Sequence, residues 1–148
     1  MKTLCWSLLL LVATAASATD RLPEVLAPYA GKPIVLDFWA SWCGPCGESF
    51  PWLNAMHARY GDSINIVGVD VDAQPADAKA FLKRHAPAFA IVNDPDGKVA
   101  AAYRIQGMPS TVILDAQGRV LHQHAGFHGN RVAEYESAIR AAAGRSQP

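Results

Sequence analysis

The 148-residue chain has little cysteine, three residues in all at positions 5, 43 and 46, and no second cysteine pair. Small stapled domains close long loops with several widely spaced bridges, and structural zinc asks for four ligands, so neither framework fits. Net charge is also missing: 13 Lys and Arg balance 13 Asp and Glu, and no basic run or stripe occurs anywhere. Binding to a phosphate backbone therefore has no electrostatic footprint, and nucleic acid is excluded as a partner. No apolar run reaches the roughly 18 residues of a spanning helix. Internal repeats and low-complexity linkers are absent too. What remains, with 51% hydrophobic residues, is enough chain for one well-buried core and too little for two domains.

The first 18 residues, MKTLCWSLLLLVATAASA, place Lys2 before an apolar stretch and small residues at Ala16 and Ala18. This is the pattern of a secretory signal peptide cleaved after an A-x-A site, with an uncleaved membrane anchor as the alternative. Cys5 lies ahead of the apolar stretch and leaves with the signal. The mature chain then keeps only Cys43 and Cys46, in a periplasmic or otherwise exported and oxidising compartment. Residues 19–30 form a lead-in, 31–144 the domain and 145–148 a frayed tail.

Along the domain, PIVLDFWA at 33–40 is a β-branched and aromatic run of buried-strand length. CGESFPWLNAMHARYGDS follows as a helix, with Phe50, Leu53 and His57 as its apolar face, a kink at Pro51 and a stop at Gly61. INIVGVD (64–70) is a second strand, PADAKAFLKRHA (75–86) a helix and FAIVND (89–94) a third strand. KVAAAYRI is a helical turn, and STVILD and RVLHQHAG are two strands joined as an antiparallel hairpin. NRVAEYESAIRAAAG closes the domain as a helix. The fold class is α/β, with a mixed sheet of about five strands covered by helices on both faces.

In this frame the motif WCGPC (42–46) falls where a buried strand ends and a helix begins. Cys43 is expected in the first helical turn, where unpaired N–H groups and the helix dipole favour a thiolate. Cys46, three residues on, shares its face, and Pro45 costs no helical hydrogen bond there. Lowering a thiol pKa from about 8.5 to about 7 gains only about threefold in attack rate, because nucleophilicity falls with basicity. The larger device is the second thiol, which attacks a mixed disulfide intramolecularly.

The run VLDFWASWCGPC, a proline five residues beyond the second cysteine and the downstream GMPST resemble the thioredoxin superfamily over about residues 31–144. The long stretch before GMPST, with an extra helix and strand, and the DPDGK, LDAQGRV and AGFHG segments are similar to exported TlpA and ResA type thiol-disulfide oxidoreductases. This resemblance implies a thioredoxin-like fold with a TlpA-type insertion. Cys43 would be the exposed nucleophile and Cys46 the buried resolving thiol, forming a redox-active disulfide with no bound cofactor and no metal. Pro109 would be a cis proline facing the cysteines, leaving the Met108 backbone free to pair with an extended substrate. Trp42 would pack beside the disulfide, and Gly44 and Pro45 would complete the substrate-binding surface.

Asp37 interrupts a run that is apolar on both strand faces, so it is expected to be buried with a raised pKa. The resemblance puts it beneath Cys46 as a proton relay. Weaker candidates are His122, His124 and His128, read as solvent-facing strand and loop residues rather than metal ligands. Asp94, Asp96 and Gly97 are read as a turn, Asp70 and Asp72 as a solvated loop, and Glu48 as a complement to the helix N-terminus. The expected activity is reduction of exported protein disulfides, such as those of apocytochrome c, by a monomer drawing electrons from a membrane-embedded thiol reductant. The alternatives are an oxidase or isomerase on the same fold, and a Cu(I) metallochaperone binding through Cys43 and Cys46.

Overall fold

A computed structural model describes residues 22–145. The signal-peptide expectation for residues 1–18 and the tail beyond Arg145 lie outside the described residues. Among the described residues no helix is long and apolar enough to cross a membrane.

Five strands form one mixed sheet: β1 (Ile34–Trp39), β2 (Asn65–Asp70), β3 (Ala90–Asn93), β4 (Ser110–Leu114) and β5 (Val120–Ala125), in the order β3-β2-β1-β4-β5. β1 pairs in parallel with β2 and antiparallel with β4, so it lies at the centre of the sheet and all six of its residues are buried. That burial is the reason its sequence is apolar in unbroken series instead of alternating. β4 and β5 form the expected hairpin, with an irregularity between Ile113 and Leu114.

The helices are α1 (Cys46–Tyr60), α2 (Ala78–His85), α3 (Lys98–Ala102) and α4 (Val132–Gly144). One sheet face carries Val35, Trp39, Ile66 and Ile113, packed against Phe50, Leu53 and Met56 of α1, Phe81 of α2 and Ile139 of α4. Aromatic rings fill its centre: Trp39 stacks on Phe81 at 4.7 Å and meets Phe50 edge-on at 5.3 Å. The other face carries Ile34, Leu36, Phe38, Val67 and Val69, covered by Leu26 of a lead-in 3-10 turn (Glu24–Tyr29) and by Val99 of α3. Both faces are covered, as expected, with the larger helices on one side.

Three local expectations are corrected. The apolar face of α1 uses Phe50, Leu53 and Met56, while His57 is only half-buried. α2 starts at Ala78 instead of near Pro75, because residues 74–77 close an i to i+3 turn (Asp77 N–H to Gln74 O, 2.9 Å). Cys43 is not in the first turn of α1; it sits three residues ahead of it, its carbonyl accepting the Cys46 N–H at 3.2 Å.

Candidate active site

The central strand delivers the chemistry. β1 ends at Trp39, and the chain turns through Ala40 and Ser41 (Cys43 N–H to Ala40 O, 3.1 Å) before entering α1 at Cys46. Cys43 and Cys46 are joined as a disulfide with Cα atoms 5.4 Å apart. Their exposures differ in the sense that the resemblance implied, but Cys43 is much less exposed than expected: 5% of its surface is accessible, against none for Cys46. The neighbours Trp42, Gly44 and Pro45 are the exposed part of the motif, Trp42 at 71%. Trp42 thus projects into solvent.

Asp37 is buried, 1% exposed, on the same sheet face as Trp39 and below the start of α1. Its Oδ1 accepts the Thr111 hydroxyl of β4 at 3.1 Å, across the Asp37–Thr111 register pair. Its Oδ2 lies 3.4 Å from the Ser49 hydroxyl, which also reaches the Cys46 carbonyl at 2.9 Å. Ser49 has a single hydroxyl hydrogen. That hydrogen is shared between the Cys46 carbonyl and Asp37 Oδ2, and the contact to the carboxyl is the longer of the two. Burial pushes the Asp37 carboxyl up to about 7, against the opposing pull of Thr111 and then Ser49. The result is a carboxyl that changes charge near neutral pH, linked through one serine to the backbone of Cys46.

The Met108–Pro109 peptide bond is cis. Pro109 follows directly beyond the Phe38–Ser110 pair, so it lies beside the end of β1 from which the cysteine loop springs. The Met108 main chain has no hydrogen-bond partner among the described residues. Its side chain packs against both cores, one of which includes the two cysteines. Trp42, Val71, Ala100, Ile105, Gln106, Gly107 and Met108 line an open groove of about 370 Å³ beside the motif. Asp37, Trp42, Cys43, Gly44, Pro45, Met108 and Pro109 therefore belong to β1 or to the loops beside the ends of β1 and β4, and Cys46 opens α1.

The remaining candidates are redistributed. Asp94 is a turn residue as expected, and it also caps α3: its Oδ1 and Oδ2 accept the Val99 and Ala100 N–H groups at 3.0 and 2.9 Å. Asp70 and Asp72 are corrected from a solvated loop to fully buried carboxyls, 0% and 2% exposed. His124 is corrected from solvent-facing to buried under α4, its ring stacked on Tyr135 at 4.0 Å. Burial, helped by the His122 charge, lowers its pKa to about 4. Among the described residues no group of three or more His, Cys, Asp or Glu side chains could hold a metal ion.

Ser41, Ser49 and Thr111 are site residues that sequence reasoning missed, since hydroxyls carry no periodic signal. Gly47 is another: a Cβ there would come within 2.6 Å of His85 Cε1, so the imidazole of α2 lies directly on the first turn of α1.

With the geometry in place, the comparisons with known proteins are specific. A thiol:disulfide interchange protein DsbE homolog of Paracoccus denitrificans is 40% identical over 93 residues, covering 62% of this chain and 50% of the relative. The thiol-disulfide oxidoreductase ResA of Bacillus thuringiensis is 28% identical over 102 residues, covering 68% of this chain and 59% of that protein. The chain thus spans about half the length of the curated relatives it matches. A crystal structure of a thiol:disulfide interchange protein DsbE from Chlorobium tepidum superposes with a TM-score of 0.76 at 41% identity, covering 80% of this chain and 84% of that one. The fold is therefore thioredoxin-like. The Redoxin family profile matches residues 13–139, and the chain belongs to the Redoxin family.

Proposed function

We propose that the protein is an exported thiol-disulfide oxidoreductase that reduces disulfides of other exported proteins by dithiol exchange. The observation that carries this reading is the Cys43–Cys46 bridge at the tip of the central strand, beside an open groove and above a buried carboxyl. In the reduced chain, the Cys43 thiolate attacks a substrate disulfide, forming a mixed disulfide and releasing one substrate thiolate. Cys46 gives its proton to the Asp37 carboxylate and attacks the Cys43 sulfur. The second substrate thiol leaves, and two electrons have passed to the substrate while the chain ends oxidised.

Asp37 serves as base above about pH 7, the value to which burial raises it. Met108 and Trp42 hold an extended substrate segment, the Met108 main chain pairing with it next to Pro109. Gly44 and Pro45 between the cysteines favour the reducing direction, by their resemblance to reducing thioredoxins. Exported apoproteins that must keep paired cysteines reduced, apocytochrome c among them, are the substrate class, and a membrane-embedded thiol reductant returns the electrons.

The test is a Cys46→Ser chain expressed with its leader in a bacterial host. Mixed disulfides on Cys43 are expected to accumulate, and mass spectrometry identifies the partners. An empty trap, with no exported protein held by Cys43, defeats the reading. Equilibration of the wild-type protein with a thiol buffer tests direction. A potential near −120 mV, typical of strong oxidants, would mark an oxidase, against the value near −270 mV expected for a reductase.

A further inference from the structure

Two more carboxyls, Asp70 and Asp72, are buried at the same end of the sheet, and Asp72 touches the arm that carries Cys43. Asp72 accepts both donors of Ser41: the N–H at Oδ2, 2.9 Å, and the hydroxyl at Oδ1, 3.0 Å. Asp70, the last residue of β2, accepts the Asp72 N–H at Oδ1, 3.0 Å, and its Oδ2 is buried with no hydrogen-bond partner among the described residues. The main chain continues the connection: Val71 N–H donates to Trp39 O at 3.0 Å, and Asp94 N–H donates to Asp70 O at 2.7 Å. The arm of residues 40–43 is thus tied at Ser41, two residues before the nucleophile, to Asp72 and through its N–H to Asp70. Burying such groups is costly unless their hydrogen bonds are met, and here one oxygen is left unmet.

We propose that Asp72 is a positioning residue for Cys43, fixing the Ser41–Trp42–Cys43 arm against the end of β2, and that Asp70 beneath it couples this hold to a proton. The geometry alone supplies the first half: among the described residues, Asp72 is the hydrogen-bond acceptor for both donors of Ser41, and the exposed Trp42 follows Ser41 directly.

The unpaired Asp70 Oδ2 supplies the second. Burial raises the Asp70 carboxyl to about 6; the Asp72 N–H opposes this, and the nearby Asp72 and Asp77 carboxylates add to it. The charged groups around it are Asp72 on its own arm and Asp77 at the head of α2. Asp94, the residue after β3, touches it through the main chain, and Trp39 from β1 brings no charge. Above pH 6, ionised Asp70 places a negative charge beneath the arm, which disfavours the Cys43 thiolate.

This inference rests on the thiol-exchange reading for its biological meaning, but its test needs no natural partner. The reduced protein is mixed with the small aromatic disulfide dithiobis-nitrobenzoate. The Cys43 thiolate releases one thionitrobenzoate, Cys46 displaces the second, and two electrons pass to the probe as the chain closes its own disulfide. The first release is followed by stopped flow from pH 4 to 9.

Asp72→Ala is expected to slow it about tenfold or more, through misplacement of the reacting sulfur. Ser41→Ala, which keeps the N–H donor, should fall between that and wild type. Asp72→Asn, which keeps an amide oxygen for the Ser41 N–H, should return the rate to within about threefold of wild type. Asp70→Asn should erase the inflection near pH 6 and react about two- to fivefold faster than wild type at pH 7.5.

Wild-type rates in Asp72→Ala, or Asp72→Asn failing as badly as Asp72→Ala, overturns the positioning role. An inflection that survives Asp70→Asn overturns the proton coupling. A failure of the functional reading looks different: the variants rank as expected with the probe while the Cys46→Ser trap captures no exported protein.

Discussion

A carboxyl buried at position 37 weakens the fold wherever it is ionised, and a base is useful to Cys46 only when ionised. With the folded-state pKa raised from 3.8 to about 7, the unfolded chain loses its proton first. Stability is full below pH 3.8 and declines as pH rises through 7, by roughly 4 kcal/mol as an upper bound. Asp37→Asn should therefore be about 2–4 kcal/mol more stable than wild type at pH 8 by urea denaturation. The same variant should release mixed disulfides about ten- to a hundredfold more slowly, without the wild-type rise in rate through pH 7, measured by rapid-quench assay. A merely structural aspartate would not separate the two effects. The oddity of Asp37 was legible, because an acid in an unbroken apolar run has to be buried or misplaced. Its partners were not: Ser49 lies 12 residues on and Thr111 74 residues on, brought together only by the α1 turn and the β1–β4 register.

Elements were read best where burial dictates composition. All five strands appear within a residue or two of their expected limits; for β1, β2 and β4 the reason is that a strand buried on both faces cannot carry polar residues cheaply. Helix starts were read less well, because they depend on caps and turns: the turn at Pro75–Asp77 delays α2, and α1 begins only at Cys46. α3 shows how a cap decides an element. Five residues cannot hold a helix on propensity alone, and Asp94 supplies acceptors for two of its first N–H groups. Asp94→Ala should cost about 1–2 kcal/mol by urea denaturation. Hydrogen exchange should localise the loss to Lys98–Ala102, the helix that brings Ala100 to the groove beside Trp42.

For the molecule as a whole, Asp37 of β1 and His124 of β5, both in register with Thr111 of β4, set opposed pH slopes. His124, with its pKa lowered from 6.5 to about 4, is charged first in the unfolded chain. Its contribution is present above 6.5 and lost as pH falls through 4, so stability rises with pH across that window. Asp37 imposes the reverse slope between 3.8 and 7. Asp70, raised from 3.8 to about 6, adds to the Asp37 slope, so wild type should lose stability as pH rises from 4 to 6.5, less steeply than the two carboxyls alone would give. Asp37→Asn should tilt it upward with pH and His124→Gln downward, read from urea midpoints at half-unit intervals. The strand pattern placed His124 and His122 on one face but could not say which face α4 covers, so the burial of His124 was hidden from the sequence.

The contact between Gly47 and His85 has a consequence for how this fold varies. A side chain at the position after the second cysteine requires the imidazole of His85, 2.6 Å from where its Cβ would be, to shift. Among relatives, positions 47 and 85 should therefore change as a linked pair: a larger residue at one is expected only where the other has become small. A survey of paired substitutions in the family, or a chain carrying Gly47→Lys together with His85→Ala, would show whether these two helices evolve as one unit.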